Sequence, residues 1–113
     1  MNIKELIELT GAQLITKNVD LTADIESGYS CDLLSWVMAH GKPGMAWITV
    51  QTHMTVVAVA TLHDMACVIV PEGAAIPDEV AAKAEEEGIA MLSSPKSAYE
   101  LCGQMYGAGL MGK

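Results

Sequence analysis

Three short apolar runs in the second half of the chain, residues 45–50, 66–70 and 89–92, constrain the fold more than any other feature. Each run is continuous rather than alternating in polarity, which is the pattern of a strand buried on both faces. Parallel strands cannot be joined by a tight turn and need a crossover. The segments between the runs suit crossover helices. Pro77 at a first helical position, followed by Asp78 and Glu79, opens a helix that runs through Glu87 and stops at Gly88. Residues 52–64 are less plain. Val56, Val57 and Val59 favour strand on propensity, whereas Ala58 and Ala60 favour helix and Thr52 is a fair N-cap. The need for a crossover decides for helix. The second half therefore reads as strand and helix alternating three times, ending in a helix capped by Ser94 with Pro95 at its first position. Ala98, Leu101, Cys102 and Met105 line one face of that helix, and Gly107, Gly109 and Gly112 follow as a loose tail.

The first half reads as supporting structure. Asn2 caps a short helix, with Glu5 at capping-box spacing, Ile3, Leu6 and Ile7 on one face, and Gly11 at its end. Residues 12–16 are a predicted strand, 17–22 a polar turn, and 25–29 a second extended piece broken by Gly28. Ser30 or Asp32 is the predicted cap of a helix carrying Leu33, Leu34, Val37 and Met38, which Gly41, Pro43 and Gly44 stop. Right-handed crossovers would put helices on both faces of the sheet. The expected fold class is thus α/β, a three-layer, largely parallel sheet with helices on both faces. No internal repeat, low-complexity stretch or linker divides the chain, so one domain over residues 1–113 is expected.

Composition narrows the function. With 51% hydrophobic residues in 113, the chain can bury a core without staples. It carries 14 acids against 6 lysines and no arginine, a formal net charge of −8. That balance argues against nucleic acid and against anionic membranes, both of which need clustered cations; it is read as a device for solubility. Three scattered cysteines, Cys31, Cys67 and Cys102, form no CxxC pair and fit free thiols in a reducing compartment. No apolar stretch reaches the ~20 residues of a membrane helix, and the first residues lack the apolar run of a signal peptide. A cytoplasmic location is expected.

In parallel sheets, ligands sit beyond the carboxyl ends of the strands. The candidate ligand-binding residues are accordingly Gln51, Thr52, His53, Gly73, Ser93 and Ser94, with Ser30 and Asp32 nearby. His53 is the sharpest of them, as a binding or acid/base group, weighed against a histidine hydrogen-bonded locally in a first helical turn. Thr52 and Ser94 are weighed chiefly as caps. Cys31 with His53 and Asp32 would make a thiol nucleophile and base only if they touch. His40, His53 and His63 lack metal-site spacing, and no metal or other cofactor is expected. Met38, Met45, Met54 and Met65 read as core filler, with an adaptable partner surface as the alternative. Trp36, at the edge of its helix's apolar stripe, is a candidate interface anchor. Glu85, Glu86 and Glu87 read as a solvated helix end.

Several segments stand together in an order and spacing that resembles stand-alone DRTGG-domain proteins across nearly the whole chain. They are Gly28-Tyr29-Ser30-Cys31-Asp32-Leu33-Leu34-Ser35, Trp47-Ile48-Thr49-Val50-Gln51-Thr52-His53, Pro77-Asp78-Glu79, Glu87-Gly88-Ile89 and Leu92-Ser93-Ser94-Pro95. The resemblance implies a fold like the N-terminal domains of HPr kinase/phosphorylase and MurF. It also implies a non-catalytic regulatory or binding module, often a homodimer, that takes a protein partner or a small ligand. Stand-alone copies near iron-only hydrogenase genes imply an alternative, an assembly subunit of a hydrogenase system. A small Cys/His enzyme is a third. The letters DRTGG themselves do not occur. Gln51-Thr52-His53 stands in the Asp-Arg region and Pro71-Glu72-Gly73 in the Thr-Gly-Gly region, where only Gly73 survives. The arginine that would meet an anionic ligand is missing, and Glu72 would repel one. No GxxxxGK[ST] pattern exists, so the chain has no P-loop for ATP phosphates.

Overall fold

The computed structural model describes residues 1–112. Five strands and five helices follow one another as α1 (Ile3–Thr10), β1 (Gln13–Leu14), β2 (Ser27–Ser30), α2 (Leu34–His40), β3 (Met45–Ile48), α3 (Met54–Leu62), β4 (Cys67–Val70), α4 (Asp78–Glu86), β5 (Ala90–Ser93) and α5 (Ala98–Gly107). They build one sheet in the order β1-β5-β4-β3-β2. β2 to β5 are mutually parallel. Only β1 is antiparallel, at the edge, with Gln13 opposite Ser93.

Successive side chains of a strand point to opposite faces, and β3 to β5 are apolar at nearly every position. Two cores result. Met45, Trp47, Val68, Val70 and Met91 point to the side of α2, α3 and α4. Ala46, Ile48, Cys67, Ile69 and Leu92 point to the side of α1 and α5. The three-layer α/β fold class stands, but the helices reach the two faces differently from expectation. The connections from β2 through β5 all step the same way along the sheet, so crossovers of one hand put α2, α3 and α4 on one face. The terminal helices α1 and α5 cover the other. α3 is the middle of its layer, packed between α2 and α4.

The N-terminal capping box forms as predicted: Glu5 N donates to Asn2 Oδ1 at 2.8 Å and Asn2 N to Glu5 Oε1 at 3.0 Å. Gly11 takes the left-handed conformation that ends α1, at φ 72°. Other caps differ from expectation. Leu33, rather than Ser30 or Asp32, stands at the N-cap of α2, and it offers no side-chain bond. His53 rather than Thr52 stands at the N-cap of α3, again without one. Pro77 is at the N-cap of α4, one position earlier than predicted. Ser97, not Ser94, caps α5, accepting from Glu100 N at 3.2 Å. Gly28 does not break its strand, because it faces Met105 and Leu110 of the opposite layer. Its N–H donates to Met111 O at 2.9 Å, so the glycine-rich tail is pinned along the outer strand and buries Leu110. The tail thereby covers part of the exposed edge of β2. Among the methionines, Met45 and Met65 are core while Met38 and Met54 are exposed. Glu85 is not merely solvated: it accepts from Lys17 N–H, and Lys83 pairs with Glu86 and Glu87.

Candidate functional site

The carboxyl ends of β2, β3, β4 and β5 lie side by side, and their loops fall into two stitched pairs. In the first, Asp32 leaves β2 and reaches across to the loop after β3. One carboxylate oxygen accepts from Thr49 Oγ1 at 2.9 Å and from Val50 N at 2.9 Å. Thr49 is buried and its hydroxyl also accepts from Gln51 N at 3.2 Å. Gln51 Nε2 donates to Asp32 O at 3.3 Å. Beneath them Trp47, fully buried, donates from Nε1 to Cys31 O at 2.9 Å. Asp32 and Gln51 are thus brought together, as one joint between two loops. Charge-assisted bonds to a carboxylate are the stronger kind, and Asp32 spends its on the protein itself.

The second pair joins the loops after β4 and β5. Glu72 and Gly73 are both left-handed, at φ 65° and 64°. Successive amides in a concave turn can hold an anion, but these two are spent. Glu72 N donates to Lys96 O at 2.8 Å and Gly73 N to Ser94 O at 2.9 Å. Ser94 is buried and its hydroxyl accepts from Lys96 N at 3.1 Å. Lys96, the one lysine in these loops, donates from Nζ to Thr10 O at 2.8 Å and to Gln104 Oε1 at 3.1 Å. Its charge is held against α1 and α5.

The remaining predicted residues are placed differently. Ser30 and His53 are exposed, and Thr52 and Ser93 are half-buried. No hydrogen bond joins His53 to Cys31, whose thiol lies 3.9 Å from Leu33 O and beside the Tyr29 phenol. The thiol–imidazole contact that nucleophilic chemistry requires is not made. Cys67 is inert for another reason: complete burial pushes its thiol up to about 12. Partial burial, with Cys31 beside it, likewise raises the phenol of Tyr29. Both ring nitrogens of His63 lie 2.9 Å from carbonyls, Val59 O and Met38 O, and a neutral imidazole donates to one of the two. It locks the end of α2 to the end of α3. Its ring lies where a Cβ on Gly41 would come to 2.8 Å, so only glycine fits at that turn. Among the described residues no group of three or more His, Cys, Asp or Glu side chains could hold a metal ion.

Two hollows flank the sheet. The more acidic, of about 480 Å³, opens at the amino ends of the strands and includes Asp20, Asp24, Glu26, Asp64 and Glu87. Another, of about 220 Å³, lies between β2 and α5 and includes Ser30, Ile48, Cys102, Met105 and Tyr106. Of the predicted ligand residues only Ser30 takes part in either. Trp36 is 52% exposed and stacks on His40 with ring centroids 4.2 Å apart, the accessibility an anchor needs. Thr49 and Lys96 escaped sequence reasoning. A polar residue just past a buried strand was the one signal for Thr49, and nothing local marked Lys96.

No protein-family model matches the chain, and no curated protein matches it. A solved structure does: the CBS and DRTGG domains of the regulatory region of Clostridium perfringens pyrophosphatase, complexed with its activator diadenosine tetraphosphate. The TM-score is 0.70 at 11% identity, over 92% of this chain and 45% of that one. The chain has a DRTGG-like fold. It spans less than half of the neighbour's length, and the likeness at this identity concerns the DRTGG-like fold alone. Among the described residues no helix is long and apolar enough to cross a membrane.

Proposed function

We propose that the chain is a single DRTGG-like domain, a non-catalytic regulatory module that acts by binding, as a homodimer and with a protein partner. The relation to HPr kinase/phosphorylase and the cytoplasmic location belong to the same proposal. One observation carries it. At the sheet edge where an α/β enzyme would assemble its chemistry, Asp32, Thr49, Gln51, Ser94 and Lys96 bond within the protein, and no hydrogen bond joins the exposed His53 to Cys31. The likeness to part of a regulatory region agrees with this reading. The neighbour's activator is a polyphosphate. This chain has a net charge of −8, no arginine, spent amides at Glu72 and Gly73, and a lysine turned inward. Those features oppose a polyanion and favour a protein partner. Leu33 and Trp36, 62% and 52% exposed on one side of α2, are the anchor expected for it.

The test is paired affinity capture from the native cell, with the wild-type chain and with Trp36→Ser as baits. A protein retained by the first and lost by the second is expected. Identical captured sets would remove Trp36 from the reading. A turnover of any metabolite that Cys31→Ser or His53→Ala abolishes would overturn the non-catalytic reading itself.

A further inference from the structure

The edge of a sheet is a template for pairing with another chain, and proteins guard it with very short strands, lysines or prolines. The two edges of this sheet are guarded unequally. β1 is two residues long. β2, Ser27-Gly28-Tyr29-Ser30, carries no charged residue and no proline. It has a neighbour, β3, on one side only. Cys31 N–H points inward to Ile48 O at 3.2 Å. Alternate residues of a strand offer their N–H and C=O to opposite sides, so Gly28 and Ser30 turn theirs to the open side. Among the described residues, Met111 O alone bonds to that side, accepting from Gly28 N–H at 2.9 Å.

The chain's own tail shows what fits there. Gly109, at φ 98°, turns the chain out of α5, and Leu110 folds back with its N–H on Met105 O at 3.0 Å. Leu110 is buried beside Gly28, while Met111 is 49% exposed. Met111 and Gly112 then pass along β2, where a Cβ on Gly112 would stand 3.7 Å from Gly28 O. A single backbone bond to β2 is a light hold for these two residues, and Ser30 is left open.

We propose that β2 is joined by an extended apolar segment of a partner protein, which displaces Met111 and Gly112 and pairs with Gly28 and Ser30. This rests on the protein-partner reading above and names the form that partner takes. A strand added to an edge sends alternate side chains to the two faces of the sheet, and each face here has a place for them. On the α5 side is the hollow of about 220 Å³ beside Ser30, Ile48, Cys102 and Met105, with no charged residue in its lining. On the α2 side Tyr29 sets its phenol beside Trp36, so the exposed indole continues the edge. The acids nearest in sequence, Glu26 and Asp32, stand outside the two ends of the strand, in a chain of net charge −8. Charge therefore selects an uncharged segment with basic flanks. A second copy would bring its own acids to the same place.

NMR titration of the full chain with a probe peptide, acetyl-Lys-Thr-Val-Leu-Val-Thr-Lys-amide, at millimolar concentration tests the proposal, with amide exchange at Ser30 as a second readout. Binding that slows Ser30 exchange at least about tenfold is expected. The same peptide with proline for leucine has equal charge but lacks the central N–H, and should not bind. The chain ending at Leu110 should bind at least about fivefold tighter, because one backbone bond no longer competes. Ser30→Pro, which spares the ladder to β3, should bind at least about fivefold weaker. Far-UV circular dichroism checks its fold, and should it misfold, Ser30→Lys is expected to give the same loss. No binding, equal binding of both peptides, or binding that leaves Ser30 exchange unchanged would overturn strand addition and leave the Trp36 reading standing. A wild-type dimer that Ser30→Pro dissociates would give the edge to a second copy and overturn it too. Peptide binding with Ser30 protected, alongside identical captures by wild type and Trp36→Ser, would remove the Trp36 reading alone.

Discussion

At the carboxyl edge of the sheet, Asp32, Thr49 and Lys96 are polar and each is spent on a neighbouring loop or helix, while Ser94 is spent within its own turn. On the outer face of α3, Met54, Ala58 and Leu62 have nothing to spend and meet water. Of the residues that the sequence assigns to function, Asp32, Gln51 and Ser94 are joints, whereas Ser30 and His53 are exposed. Those that would be assigned to the core form an open surface. The physical reason is that four parallel strand ends leave backbone and side-chain groups that must be satisfied together. A helix already holding its bonds internally is free to face outward with any side chain, at a cost in solvation alone.

The two tryptophans sharpen this contrast most. Trp47→Ala removes a fully buried ring and the bond to Cys31 O. It should cost about 3–5 kcal/mol in urea unfolding, whereas Trp36→Ala, on the exposed side of α2, should cost under about 1 kcal/mol. Comparable losses would erase the difference between inner and outer layers. Next is Lys96→Met, which keeps the aliphatic stem but strands Thr10 O. A loss of about 1–2 kcal/mol is expected, while Lys83→Met, whose exposed ion pairs lie on α4, should change stability by less than about 0.5 kcal/mol. Equal effects would mean that the inward lysine is not a joint.

The smallest effect comes from Cys67. Its unfolded thiol ionises near the ordinary 9.0 and its folded thiol only near about 12. The folded state therefore holds the extra proton between those values, and stability falls as pH rises above 9. The loss from this group is about 1 kcal/mol between pH 9 and 10. Cys67→Ala should lack that component. A native thiol titration should find the half-buried Cys31 and Cys102 labelled well before Cys67. Rapid labelling of all three would show that the β4 core opens.

The apolar runs made the parallel sheet legible, because burial on both faces leaves little choice of residue. The crossover requirement rescued α3, whose valines alone point to strand. Which side each helix takes was not legible, since it follows from strand order, and no local pattern encodes that. Ser97 with Glu100 three residues on is a better cap signal than Ser94 with Pro95, and the buried turn role of Ser94 explains why a serine sits there. Asp32 and Gln51 were placed near the right edge, but their partner Thr49 could not be known without the register of β2 on β3. Met54 looked like core filler, as apolar residues in a helix usually are. Only the packing shows that it points away.

Urea unfolding of Asp32→Ala beside wild type tests most directly whether the carboxyl edge is a joint rather than a binding site. Loss of the carboxylate leaves the buried Thr49 hydroxyl and the Val50 amide without their acceptor. A drop of about 2 kcal/mol is predicted, with Asp32→Asn, which keeps one acceptor, losing less than half of that. Stability within about 0.5 kcal/mol of wild type for Asp32→Ala would contradict the account and return that carboxylate to the list of groups free to meet a ligand.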